Sequence, residues 1–269
     1  KKNILSMTEQ QNQEEVIKVL QNSHIHFCTP CYGGQINEGT FSSYLRFAML
    51  ATKYEIPFSV DTLINESLVS RARNSLVAKF LANKNATHLM FVDADIHFDP
   101  NSILRLLLHN KGVVCGAYPM KSIPSRYVLN TVKDAVHEPP LYEVSSSGTG
   151  FMLIKREIIE KLIEAMPELK YKDSVGLGSE YEPFMYALFD TMIDEYQHYL
   201  SEDWTFCKRV RDVIKHRVWI DTQIKLDHLG YHKFEGNTDN LNQLVNEWKD
   251  NNIGSIEQNL AYDKVYKDK

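Results

Sequence analysis

Between residues 24 and 118 the chain alternates short apolar runs with longer stretches of helical spacing, and that alternation admits few architectures. Residues 24–29 (HIHFCT) read as a first strand, and residues 30–39, with three glycines, as a loop that lets a ligand approach the backbone. Residues 41–53 carry apolar side chains at 41, 44, 45, 47, 48 and 50, the spacing of one helix face, and Pro57 ends that pattern. A second strand follows at 58–64 (FSVDTLI), a helix at 68–83, and an apolar run at 88–92 (HLMFV), as expected of a central strand buried on both faces. A helix at 101–109 and a strand at 112–118 complete the series. The order β-loop-α-β-α-β-α-β predicts an α/β fold with a mainly parallel central sheet, and right-handed crossovers place helices on both of its faces.

The rhythm breaks at residues 119–147, which hold four of the nine prolines and read as an irregular insertion. A strand at 149–154, a helix at 155–165, a mixed aromatic stretch at 167–200, a helix at 202–215 and a strand at 218–226 come next. The expected organisation is a peripheral N-terminal helix within 1–23, one domain over 24–234, and a polar C-terminal tail, 235–269, helical and packed on the domain.

Hydrophobic residues at 43% and charged residues at 24% suit a chain with a sizeable core rather than a disordered one. The formal net charge of −5, with Lys and Arg scattered, argues against nucleic acid as a partner. No stretch approaches the length of uninterrupted apolar sequence that a membrane span needs. The start lacks a long apolar signal region, and the expected compartment is the cytoplasm, or a host cytoplasm for a virus-encoded chain. Cys28-Thr-Pro-Cys31 has redox-motif spacing, but Tyr32-Gly33-Gly34 follows instead of a helix, so reduced thiols are the expectation.

The strongest chemical signal is Asp93-Ala94-Asp95, directly after the apolar run that ends at Val92. In open α/β sheets ligands bind beyond the carboxyl ends of strands. Two acids there repel one another unless a cation lies between them, and oxygen ligands suit Mg²⁺ or Mn²⁺ bridging to phosphate. The competing reading is a solvated turn after a strand.

With these residues the chain resembles GT-A-fold glycosyltransferases, in which a D-x-D pair follows a central strand. Further segments fall in that family's order over residues 24–234. Thr29-Pro30-Cys31-Tyr32 is similar to the first-strand loop that touches the nucleotide, and Asp61 to an acid that meets the base. Ser70-Arg71-Ala72-Arg73-Asn74 looks like a helix start facing the donor, and Gly148-Thr149-Gly150-Phe151 like the glycine-containing strand entry near the acceptor. Ser201-Glu202-Asp203-Trp204 resembles the "ED" helix start, and Asp227-His228-Leu229-Gly230 the late His-x-Gly segment that supplies a metal ligand. The pattern is similar to virus- or phage-encoded members as much as to bacterial ones.

The resemblance implies a GT-A-like single domain that moves a sugar from a UDP or GDP sugar to a glycan or other hydroxyl acceptor, using Mn²⁺ or Mg²⁺, with inversion. Asp95 is then the direct metal ligand, Asp93 touches ribose or the metal through water, and His228 completes the shell as a neutral imidazole. Thr29, Pro30, Tyr32, Asp61, Arg71 and Asn74 hold the donor. Arg71 and Arg73 do not share a helix face, so one of them faces the phosphates; the expectation is Arg71, with Arg73 at the surface. Asp203 is the expected base, with Glu202 beside it pointing elsewhere. Against that stands the ordinary preference of acids for helix N-termini. A sugar-phosphate nucleotidyltransferase is the first alternative, although residues 30–39 lack the Lys and Arg its phosphate loop needs. A non-catalytic nucleotide-sugar or glycan binding module on the same scaffold is the second.

Overall fold

The computed structural model describes residues 7–252 and 254. The chain runs α1 (Met7–Gln21), β1 (Ile25–Cys31), α2 (Glu38–Tyr54), β2 (Phe58–Ile64), α3 (Val69–Ala82), β3 (His88–Val92), β4 (Ile96–Phe98), α4 (Pro100–Leu108) and β5 (Val113–Gly116). It continues through β6 (Leu129–Thr131), β7 (His137–Glu138), β8 (Leu141–Ser147), β9 (Phe151–Lys155), α5 (Arg156–Ala165), β10 (Met192–Ile193), β11 (Tyr199–Leu200) and α6 (Glu202–Asp212). β12 (Val218–Asp221), β13 (Leu226–Leu229), β14 (Lys233–Glu235) and α7 (Thr238–Asn251) complete it.

The main sheet has nine strands in the order β2-β1-β3-β9-β5-β12-β8-β6, with β7 also on β8. The pairs β1–β2, β1–β3 and β5–β12 are parallel. β9 runs against β3 and β5, and β8 against β12, β6 and β7, so these two are the reversed strands in a sheet whose others share one direction. β9 is reached through the detour at 119–150 rather than a crossover helix, which frees it to enter antiparallel.

Helices cover both faces, as the alternation predicts. Phe27, Met90, Val92, Val114 and Leu153 face one way, onto Phe47 of α2 and Ile103, Leu106 and Leu107 of α4. Cys28, Leu89, Phe91, Cys115 and Ile154 face the other way, onto Leu76, Val77 and Phe80 of α3 and Ile158 and Leu162 of α5. The local signals sit where these elements begin. Asn37 accepts from the Gly39 N–H to cap α2, and Asp99 accepts from the Asn101 N–H, with Pro100 at the first position of α4.

Two expectations are corrected. The stretch 119–147 is not a structureless insertion: it supplies β6, β7 and β8, which widen the sheet beyond β12. The strand expected at 218–226 is two strands, because a turn after the fully buried Asp221 redirects the chain into a small sheet, β14-β13-β4. Cys28 and Cys31 both lie inside β1, three residues apart and so on opposite faces, buried and unpaired, where no disulfide can join them.

Beyond residue 234, α7 spaces Leu241, Val245 and Trp248 along one face and buries all three in the core that α5 and α6 share. Residues 1–6 and 255–269 of the two expected end segments lie outside the described residues. Trp248 is 5% exposed. Trp248→Ala is therefore expected to lower unfolding stability by about 3–5 kcal/mol, read from urea denaturation, in a single transition. A loss below about 1 kcal/mol would mean that α7 is a dispensable appendage.

Candidate active site

β1 and β3 lie side by side, and beyond their carboxyl ends opens a polar cleft of about 600 Å³. Pro30, Tyr32 and Asn37 line it from the β1 side, Glu66 and Arg73 from the α3 side, and Asp93 and Asp95 from the end of β3.

Arg73 is the organising group. Its side chain is 5% exposed, and Nη2 lies 3.0 Å from Asp93 Oδ1 while Nε lies 3.2 Å from Glu202 Oε1. The guanidinium also stacks over Phe91, 5.2 Å from the ring centre, and Nη1 has no acceptor among the described residues. Burial opposes its charge, but Asp93 and Glu202 outweigh that cost and raise its pKa above the ordinary value. One cation thus joins α3, the end of β3 and the start of α6.

Asp95 faces a different set. Its Oδ2 accepts from Lys121 Nζ at 2.5 Å and lies 3.4 Å from His228 Nε2. His228 arrives through pairing of β13 with β4, which sets it against Ile96, and the Leu229 N–H donates to the Asp95 carbonyl at 2.8 Å. Its Nδ1 lies 2.9 Å from the Pro119 carbonyl, and its ring stands edge-on to Tyr118. With Nδ1–H donating to that carbonyl, a neutral ring turns its Nε2 lone pair toward the carboxylate, so two acceptors face each other across 3.4 Å. Such a pair calls for a cation or a proton between them. Burial pushes the Asp95 carboxyl up, but His228 and Lys121 together hold it below its usual range.

Asp203 is half-buried at the N-terminus of α6. It accepts from the Ser201 hydroxyl and from the Trp204 N–H, and lies outside the residues that line the cleft. Burial, then repulsion from Glu202, raise its pKa above the usual carboxylate value. Trp204, one residue on, lines a second cavity of about 630 Å³ with Tyr199, Arg211 and Asn130. The start of α6 therefore lines the second cavity through Trp204 and reaches the cleft only indirectly, through the pairing of Glu202 with Arg73 of α3.

Among the residues expected from sequence, Pro30, Tyr32, Asp93 and Asp95 line the cleft, with His228 against Asp95. The choice between the arginines is reversed. Arg71 pairs with Glu66 at 2.7 Å and is one-third exposed, whereas Arg73 is the buried residue in the cleft wall. Asn74 does not face the cleft, because its amide donates to the Phe189 carbonyl and accepts from the Phe189 N–H. The Thr29 hydroxyl is engaged by Tyr44 at 2.7 Å inside β1. Asp61 sits in the middle of β2 and pairs with Lys79 at 2.8 Å, away from the cleft lining. Asp93 directs both carboxylate oxygens at Arg73, whereas Asp95 faces His228. Glu202 does not point elsewhere; it meets Arg73. Lys121, Glu66 and Tyr118 escape a reading of the sequence. The Gly148 and Gly150 positions admit the Tyr118 ring, since a Cβ on Gly148 would overlap its hydroxyl.

No cluster of three or more His, Cys, Asp or Glu side chains able to hold a metal occurs among the described residues. Asp95 and His228 supply two ligands, one oxygen and one imidazole nitrogen, and a divalent ion held by them would take its remaining positions from phosphate and water.

No protein-family model matches the sequence, and no curated protein matches it. Solved structures match it at low identity and with TM-scores below 0.5. A197 from STIV is 17% identical with a TM-score of 0.45, over 80% of this chain and 94% of that one. A mannose-1-phosphate geranyltransferase from Thermus thermophilus is 12% identical with a TM-score of 0.40, over 77% and 76%. TarS residues 1–349 from S. aureus is 13% identical with a TM-score of 0.31, over 60% and 54%.

The Arg73 cluster yields a stability prediction. Arg73→Met leaves Asp93 and Glu202 facing each other without their shared cation, and the expected loss is about 3 kcal/mol in chemical denaturation. Arg71→Met, at an exposed pair, is expected to cost under about 1 kcal/mol. Equal losses from the two would refute the assignment of Arg73 as the central cation.

Proposed function

We propose that the protein transfers a sugar from a nucleotide-diphosphate donor to an acceptor hydroxyl. The observation that carries this reading is the pair Asp93 and Asp95 at the carboxyl end of β3, each facing basic side chains delivered from elsewhere in the chain across one polar cleft. Alternating acids and bases of this kind suit a ligand that is itself polyanionic and metal-bridged.

The donor nucleotide lies along Pro30 and Tyr32, a residue 75% exposed and free to stack on a base. Asp93, fixed by Arg73, is placed to accept from ribose hydroxyls. Asp95 and His228 would hold a divalent cation, Mn²⁺ being favoured by the imidazole. Bound there, it would supply positive charge against that growing on the departing diphosphate. Lys121 contributes a further positive charge beside the same oxygens. Asp203 takes the acceptor proton as the acceptor oxygen bonds to the anomeric carbon and the diphosphate leaves with the bonding pair. A single displacement of this kind inverts the anomeric centre. The raised pKa of Asp203 suits it to base work nearer neutrality than an ordinary aspartate, and the cavity beside Trp204 is the acceptor's side.

The test is product formation and release of nucleoside diphosphate from a panel of UDP-, GDP-, dTDP- and CMP-sugars, with and without Mn²⁺. Asp203→Asn is expected to cut kcat by roughly 10²–10⁴-fold with donor KM nearly unchanged. It should also remove an acid limb in kcat/KM whose midpoint lies above the ordinary aspartate value, because activity needs the unprotonated carboxylate. Asp95→Asn should abolish Mn²⁺-dependent donor binding in calorimetry. Donor binding that ignores both Mn²⁺ and Asp95 would defeat the metal assignment, and turnover that survives Asp203→Asn would defeat the base.

A further inference from the structure

Lys121 lies on the loop between β5 and β6, which is held at its base and open at its tip. Pro119 pairs with Tyr127, and the Val128 N–H donates to the Tyr118 carbonyl at 3.1 Å. The Tyr127 hydroxyl ties this base to Asn237, the cap of α7. Tyr118, Pro119 and Tyr127 are buried, whereas Met120, Lys121 and residues 123–125 are exposed. The buried base sets the His228 tautomer through the Pro119 carbonyl. Two residues on, the exposed side places Lys121 Nζ 2.5 Å from Asp95 Oδ2. The orientation of His228 therefore does not depend on where the lysine points.

The ammonium is held lightly. Asp95 is its one ion-pair partner among the described residues, and the Lys121 side chain is 40% exposed. Arg73, by contrast, is 5% exposed and bridges two carboxylates. An exposed pair contributes little to stability, so little opposes its exchange. A flexible four-carbon stem with three rotatable donors suits such exchange better than a planar guanidinium.

The further role of Lys121 rests on the proposed function, in which Asp95 and His228 hold a divalent ion. The same Asp95 oxygen, Oδ2, faces both Lys121 and His228, so an ion held between acid and imidazole meets the lysine there. At ordinary bonding distance from Oδ2, that ion would lie no more than about 4.6 Å from Lys121 Nζ, and cations that close repel even in water. One of the two must give way, and the lysine has the exposed stem. The new acceptors within its reach are the phosphate oxygens that share the ion. We propose that Lys121 is an exchangeable internal cation: it neutralises Asp95 until a divalent ion takes that carboxylate, and then turns its ammonium to the diphosphate the ion bridges. Ion and diphosphate then bind cooperatively, because the ion releases the ammonium that the diphosphate neutralises.

Mn²⁺ binding by the full chain, counted by electron paramagnetic resonance, tests this with inorganic pyrophosphate as the diphosphate probe. Lys121→Met keeps the stem and removes the charge. It should tighten Mn²⁺ binding about tenfold without pyrophosphate, and weaken pyrophosphate binding by a similar factor when Mn²⁺ is present. Acetylation of Lys121 by a limiting amine reagent, followed by mass spectrometry, should speed up when Mn²⁺ is added and slow again when pyrophosphate follows. Asp95→Asn separates the role of Lys121 from the metal assignment beneath it. Mn²⁺ binding that Asp95→Asn abolishes, but that Lys121→Met leaves within about twofold, overturns the exchange alone. Mn²⁺ binding that ignores Asp95→Asn, or none in either the native chain or Lys121→Met, overturns the ligand pair with it. An acetylation rate that Mn²⁺ does not change means that the ammonium stays where it is, and that result too defeats the exchange.

Discussion

The buried guanidinium of Arg73 holds three separate parts of the chain in one arrangement. It grows from α3, meets Asp93 at the end of the central strand, and reaches Glu202 at the start of α6, 129 residues further along. Without it, Asp93 and Glu202 would bring two carboxylates into one half-buried space, and the repulsion would push β3 and α6 apart. The cation also shields the neighbouring Asp203 only in part, so that carboxyl stays poised above its usual pKa instead of being locked in an ion pair. The position of the start of α6 follows from that charge, while burial and Glu202 set the raised pKa of Asp203 against it.

The sheet explains why these groups meet at all. β3 is covered on both faces and buried over Leu89–Val92, so nothing but its ends can meet solvent. The acids therefore cluster where the strand stops, Asp93 against Arg73 of the preceding helix α3 and Asp95 against bases from later in the chain. Asp95 meets Lys121 from the loop after β5 and His228 from β13. β13 reaches it because β4, immediately after Asp95, pairs with it. The small three-stranded sheet is thus the device that carries residue 228 to residue 95. Asp227, on the same strand, anchors this sheet through His97, Lys233 and the Gly236 N–H, and these contacts hold its carboxyl below the usual range although burial acts the other way.

What the sequence discloses and what it hides divide along physical lines. β1, β2, β3 and β5 are legible because each is a short apolar run bounded by glycine, proline or a charged turn. The acid pair is legible because it follows the most apolar of them. β8 is not, because serines occupy 145–147 where apolar residues would mark a strand; Ser147 is fully buried, while Ser145 and Ser146 border the cavity beside Trp204. The phase of α3 is hidden for a different reason. Ser70, Leu81 and almost every residue between them are buried, so no amphipathic stripe says which arginine turns inward. The segment Ser179–Phe184 and the chain after it cover the side that would otherwise face water, and Asn74 clamps Phe189 there. The tail reads as polar with sparse apolar residues, yet three of them at helical spacing suffice to seat α7.

The same physics distinguishes residues that build the site from those that merely lie near it. Thr29, Asp61 and Asn74 have the side chains a nucleotide would use, but Tyr44, Lys79 and Phe189 already engage them. Binding a ligand would require breaking a buried or half-buried hydrogen bond first, at a cost comparable to the bond gained. Pro30 and Tyr32 are free of that constraint, whereas Lys121 is paired with Asp95. Tyr32 is open to solvent, and Lys121 needs only to rotate its exposed stem away from Asp95. A site selected by residue type alone would include the first group, and one selected by existing hydrogen-bond partners excludes it. By that criterion Tyr32 is an unengaged side chain of the cleft, while Asp93, Asp95 and His228 already meet Arg73, Lys121 and the Pro119 carbonyl.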